Sequence, residues 1–182
     1  MAPAKETTLV IRKELEKACK EFTDYITPSG FQRTRKMFWT RRHRHSVDFI
    51  YFFRSGSSYG ASYNYDVSIE VHFGIRVLND DLDGPHLNGP NSDPTLTRKG
   101  QYHLRFNAKS GSMYERCVED LVRFVVEQGE PWFREYETEK NLLKEDSPLR
   151  PEAKQLLQAA MDGKANPENE ALSLKSLGIK RA

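Results

Sequence analysis

Residues Ser62 to Val77 read S-Y-N-Y-D-V-S-I-E-V-H-F-G-I-R-V. Every odd position from Tyr63 on is apolar (Tyr63, Tyr65, Val67, Ile69, Val71, Phe73, Ile75, Val77), while the even positions are Asn64, Asp66, Ser68, Glu70, His72, Gly74 and Arg76. Successive side chains of a strand point to opposite faces, so strict period-two alternation predicts a β-strand with one buried and one polar face. At about 3.3 Å per residue it would run roughly 50 Å, longer than a small domain needs, which predicts a bend or bulge near Gly74. The rest of the chain must supply neighbouring strands and a cover for the apolar side.

Upstream, Val47 to Arg54 reads V-D-F-I-Y-F-F-R and is apolar on both faces over its middle, as a central strand covered on each side for part of its length would be. Ser55 to Ala61 reads as a flexible loop between these two strands. Phe31 to Arg42 predicts one or two short strands turning near Thr34 to Lys36. Before them, Ile11, Leu15, Cys19, Phe22 and Ile26 repeat at spacings of three and four, so Thr8 to Ile26 is an amphipathic helix that can cover the sheet. Thr27-Pro28-Ser29-Gly30 stops it.

Downstream, Leu78 to Gly100 is rich in Asp, Asn, Gly and Pro and predicts a long irregular loop. Gln101 to Phe106 alternates as one more strand. Ser112 to Gln128 is helical, Gly129-Glu130-Pro131 is expected to break it, and Trp132 to Asn141 to restart with proline in the first turn. Pro151 to Met161 and Pro167 to Leu177 each begin with proline and end near a glycine, the pattern of a helical hairpin. The expected fold class is therefore α+β: an antiparallel β-sheet of about four to five strands packed against helices, with residues 1–146 as the sheet domain and 147–182 as a helical extension packed on it.

The 182 residues are 37% hydrophobic and 30% charged, enough for one domain with a real core. A net charge of +2 does not by itself imply nucleic acid, but residues 1–60 carry 12 basic and 6 acidic side chains, so the first third is locally basic. Cys19 and Cys117 both sit in helical stripes and predict buried, reduced thiols. Charges interrupt the N-terminal stretch where a signal peptide needs its apolar run, and no stretch reaches the ~20 apolar residues of a membrane span, so a cytoplasmic protein is expected.

Gly30-Phe31, the M-F-W-T-R-R segment at Met37 to Arg42, the aromatic strand after it, F-G-I at Phe73 to Ile75, Trp132-Phe133, and the closing L-L-Q-A-A-M-D-G and E-A-L-S-L-K-S-L-G segments occur together. The chain resembles in these, over roughly residues 8 to 180, the bacterial family known as domain of unknown function 4304. The resemblance implies an α+β domain of the bacterial cytoplasm with no catalytic residues to transfer, and, by association, an immunity-type protein paired with a toxin.

Two groups of residues are candidates for contact with a partner. The basic segment Arg33 to His45 contains Arg33, Arg35, Lys36, Arg41, Arg42 and Arg44 with no acid, beside Trp39, His43 and His45. Guanidinium groups interleaved with aromatics hold phosphates and stack on bases; the same pattern protects a sheet edge from pairing with another chain. Arg35, Arg41, Arg42, Arg44 and His45 are the expected contacts. The second group is the polar side of the long strand, Asn64, Asp66, Glu70, His72 and Arg76. Its carboxylates and imidazole suit metal or acid–base chemistry only with a third group and a cleft, and an exposed face with ion pairs to Arg42 or Arg105 explains them equally.

No nucleophile elbow, phosphate-binding loop or EF-hand spacing occurs, and Trp132-Phe133 reads as an anchor for the third helix. The reading is thus a non-enzymatic module for a macromolecular partner, with no cofactor, no metal site and no membrane. A protein partner comes first, and nucleic acid on the basic hairpin is the alternative.

Overall fold

The computed structural model describes residues 2–54, 65–80, 86–93 and 100–180. Helix α1 (Ala2–Ile26) leads the chain. Its Ile11, Leu15, Cys19, Phe22 and Ile26 are all buried, so the three-four stripe is the face turned to the sheet. A 3-10 turn follows, and Gly30, at φ 87°, adopts the left-handed conformation that reverses the chain while its N–H donates to Thr27 O.

The fold is α+β. Among the described residues six strands form an antiparallel sheet: β1 (Gln32–Arg35), β2 (Phe38–Arg42), β3 (Ser46–Arg54), β4 (Asp66–Val77), β5 (Leu87–Asn91) and β6 (Arg105–Asn107). The order is β1-β2-β3-β4-β5, with β6 on the start of β4. The N–H groups of Ile69 and Val71 point to one side of β4 and go to Leu104 O and Ser92 Oγ, so β5 and β6 lie end to end along that side. The β1–β2 turn falls at Lys36–Met37, later than the sequence suggests, with Met37 at φ 59°.

Strand β5, L-N-G-P-N, lies in the stretch read as an irregular loop. Glycine and proline are depleted in strands, yet β5 is at the sheet edge, where the missing N–H of Pro90 need not join a ladder. Gly89 is required by space: a Cβ there would meet Trp132 at 2.8 Å and the Phe73 Cβ at 2.9 Å. The irregularity expected near Gly74 is present. His72 pairs with Asn91 and Gly74 with Asn88, so the extra residue belongs to β5.

Helix α2 (Tyr114–Phe124) does not break at Gly129-Glu130-Pro131. It passes through one π turn, Val125–Gly129, directly into α3 (Glu130–Glu135). Pro131 lies in the first turn of α3, where it need not donate, and Gly129 has helical dihedrals. A Cβ on it would lie 2.7 Å from the Phe73 ring, so its small size serves packing. The predicted helix Trp132 to Asn141 splits, because α3 ends at Glu135 and α4 (Glu139–Leu142) starts afresh on the Thr138 cap. Two further helices, α5 (Pro151–Met161) and α6 (Pro167–Ser176), close the described chain.

One face of the sheet packs on α1, α2, α3 and α5. Ile50, Phe52 and all six odd residues from Val67 to Val77 join Phe22, Leu121, Phe124, Phe133 and Leu157 in one core. Phe22, Trp39 and Phe52 sit with ring centroids 4.6 to 4.8 Å apart, and Phe133 is the expected anchor, fully buried between Phe31 and Phe73. Each such aromatic contributes about 1.5–3 kcal/mol by leaving water. The opposite face carries a smaller cluster, Val47, Phe49, Leu78, Leu174 and Leu177, under α6. Asn79 ties both last helices to the corner after β4. Its Nδ2 donates to Leu156 O, its Oδ1 accepts from Asn166 N–H, and its carbonyl accepts from Asn169 Nδ2.

Candidate functional site

The second face of the sheet is only half covered. Val47, Phe49, Tyr51 and Phe53 alternate onto it from β3. Under α6, Val47 is 0% exposed and Phe49 9%; outside the cluster that helix covers, Tyr51 is 37% exposed and Phe53 38%. On β4 the register sets Gly74 against Phe49, His72 against Tyr51 and Glu70 against Phe53, while β2 sets Phe38 against Tyr51. Phe38 stacks on Phe49 at 5.2 Å, and Tyr51 lies 6.1 Å from Phe38, 6.5 Å from Phe53 and 6.2 Å from the His72 ring. His72 Nε2 and Glu70 Oε2 are 3.7 Å apart, beyond a hydrogen bond. Asp66 is exposed and accepts from Asn107 Nδ2 at 2.9 Å. The open half is thus a row of aromatic rings bordered by carboxylates.

Of the polar strand residues expected to meet a partner, Asp66, Glu70 and His72 lie on this open half, and Asn64 falls outside the described residues. Arg76 does not reach a surface. It is 3% exposed beneath α6, where Nε donates to Ser173 Oγ at 3.1 Å and an Nη donates to Asp80 O at 3.2 Å. The alternation that makes a position polar says nothing of which helix later lies over it.

The basic segment folds largely onto acids far away in sequence. Arg33 grips Glu16 of α1 through two hydrogen bonds of 2.6 and 2.8 Å, which hold the Glu16 carboxyl below the usual range. Arg35 donates to Lys175 O, and Arg42 to Glu170 of α6. Arg41 donates to Asp48, to Ser29 O and to Glu130, its guanidinium lying 4.5 Å from the Phe31 centroid and 5.2 Å from that of Phe133. Asp48 is 1% exposed and also meets His43 Nε2 at 2.8 Å, a hydrogen bond that raises the His43 pKa against the opposing effect of burial. His45 is half-buried and donates its backbone N–H to Glu139. Arg44 and Lys36 are exposed. The cross-strand pairing considered for Arg42 is replaced by its pairing with α6.

A second polar cluster is sealed at the α6 end. His86 Nδ1 accepts the Val77 N–H at 2.8 Å, and Nε2 faces Asp80 Oδ2 at 2.8 Å. Burial pushes the His86 pKa down to about 4 despite Asp80, so the ring is neutral at pH 7. Ser173 Oγ donates to the Asp80 carbonyl. Serine, histidine and aspartate are gathered here, but the hydroxyl is directed to a carbonyl and both are buried, whereas nucleophilic catalysis needs the hydroxyl on the imidazole and open to substrate. The cluster fastens α6 to the sheet. Cys19 and Cys117 are buried, with thiol pKa values pushed up to about 11 and about 12, the setting of inert thiols. Among the described residues no three His, Cys, Asp or Glu side chains converge as metal ligands.

Phe38, Tyr51 and Phe53 were not among the sequence candidates. The signal for Tyr51 and Phe53 was the unbroken apolar run Phe49 to Phe53, which puts apolar side chains on both faces of the strand where a single core takes one; Phe38, on β2, had none. No helix among the described residues is long and apolar enough to cross a membrane. No protein-family model, no curated protein and no solved structure matches this chain.

Proposed function

We propose that this protein is a non-enzymatic interaction module that binds a macromolecular partner, in the first instance a protein, on the open half of its sheet. The observation that carries the reading is the exposure of Tyr51 and Phe53 on the central strand, immediately past the cover of α6. Aromatic side chains bury large areas at little entropic cost and are enriched in binding hot spots. Membership of the 4304 family, bacterial cytoplasmic location and a toxin as the partner belong to the same proposal and rest on the quoted sequence segments. The alternative is nucleic acid on Arg33 to His45, favoured by the exposure of Arg44 and Lys36.

The test is affinity purification of the tagged chain from its native cell, with and without nuclease, beside the double variant Tyr51→Ser, Phe53→Ser. A stoichiometric protein that survives nuclease and is lost with the double variant, whose melting remains cooperative, is the expected result. A partner retained by that variant would remove the open face from consideration. Loss of all partners on nuclease treatment would transfer the function to the basic segment.

A further inference from the structure

We infer that the open half of the sheet accepts an arginine side chain from a basic segment of the protein partner. This rests on the reading of that face as the binding surface and adds the chemistry of what it takes. The first ground is charge. Glu70 stands directly across from Phe53 and beside His72, and among the described residues its carboxylate meets only that ring, at 3.7 Å. A purely apolar partner would bury the carboxylate without a hydrogen bond, which is costly. A phosphate backbone would be repelled by it. A guanidinium satisfies it with two parallel N–H donors and lays its plane on an aromatic ring.

The second ground is that the molecule already holds one guanidinium in this way. Arg41 lies over the rings of Phe31 and Phe133 and donates to the carboxylates of Asp48 and Glu130. Tyr51, Phe53 and Glu70 offer the same parts, rings plus a carboxylate, on an exposed surface. The cations nearest in register are otherwise engaged or displaced. Arg35, in the row of Phe38, Tyr51 and His72, is held by α6, Arg42 lies at the far end of the sheet across from Val47 and Arg76, and Arg105 pairs with Ser68, two residues before Glu70 on β4. Lysine is a poorer occupant, because a compact ammonium neither stacks nor forks.

Fluorescence anisotropy at low salt tests this with three labelled probes: a Gly-Arg repeat peptide, a Gly-Lys repeat peptide of equal length, and single-stranded oligothymidine. The Gly-Arg peptide is expected to bind at least about five-fold tighter than Gly-Lys, and Glu70→Gln and Tyr51→Ala each to weaken it about five-fold. Both sites are exposed or half-exposed, and unchanged thermal melting verifies that the variants fold. Equal binding of the two peptides, or indifference to Glu70→Gln, overturns the inference by reducing it to general charge attraction. Binding of oligothymidine in place of the peptides overturns it in favour of nucleic acid. Should the Gly-Arg peptide fail while the Tyr51/Phe53 double variant still loses the native partner, the arginine inference falls and the open-face reading stands. Should that double variant keep the native partner, the reading itself falls.

Discussion

Arg76 Nε donates to Ser173 Oγ at 3.1 Å, joining the middle of the sheet to the last helix across 97 positions of sequence, with both residues buried. The same serine donates to the Asp80 carbonyl, which also accepts from Arg76. This knot determines where α6 lies, and therefore where its cover ends and the exposed aromatic row begins.

Removing the arginine takes the Nε donor from the buried Ser173 Oγ and leaves the Asp80 carbonyl with Ser173 in place of two donors. Arg76→Ala is expected to lower stability by about 3 kcal/mol and Ser173→Ala by about 1–2 kcal/mol, read from urea midpoints at unchanged slope. A loss below that of an ordinary surface substitution at Arg76 would mean that α6 is not held by this contact.

Gly74 lies directly under Phe49, and a Cβ there would stand 2.2 Å from the ring Cζ. Gly74→Ala should cost about 1–3 kcal/mol through overpacking, and adding Phe49→Leu should recover part of it in a double-mutant cycle. Additive losses would show that the ring is not the obstacle.

The two buried histidine contacts give opposite pH dependences. His86 has a folded pKa of about 4 against 6.5 when free. As pH falls below 6.5 the unfolded chain takes a proton that the native state refuses, so stability declines down to about pH 4. His43 is raised by Asp48, so its contribution is full below 6.5 and is lost as pH rises through the folded value. Chemical denaturation across pH should show His86→Asn flattening the acid limb and His43→Gln the neutral limb.

Burial holds both thiols far above neutral pH. A disulfide-exchange reagent should therefore label neither Cys19 nor Cys117 in the native protein and both in denaturant, on the timescale of unfolding. Rapid native labelling would place at least one thiol at the surface.

The arginines of the basic segment divide into two kinds. Arg41→Ala takes the guanidinium from the buried Asp48 carboxylate, leaving it to His43, and should cost about 3 kcal/mol, whereas Arg42→Ala breaks a largely exposed pair with Glu170 and should cost less than about 1 kcal/mol. Equal effects by thermal melting would contradict the burial of Asp48.

Much of the architecture was legible because it rests on local periodicity. The stripe of α1, the alternation of β4 and the proline starts of α5 and α6 each follow from spacing alone. The misreadings have a common origin. Gly89, Pro90, Gly129 and Pro131 look like breakers, yet β5 exists and α2 runs on into α3, because Trp132 and the Phe73 ring leave no room for a larger residue at either glycine. A residue chosen for its size and one chosen for its backbone freedom are the same letter.

The sequence by itself determined the fold class, the inward face of each long element and the reduced, buried cysteines, since these depend on neighbours three or four positions away or fewer. Tertiary structure alone decided which polar residues remain available. Arg33 and Arg41 are met by Glu16, Asp48 and Glu130, and Arg76 is shut beneath α6. Tyr51 and Phe53 are exposed because that helix packs on Val47 and Phe49 and not on them. Ion pairing and cover are set by which elements come together in space, and the spacing of charges along the chain does not encode that.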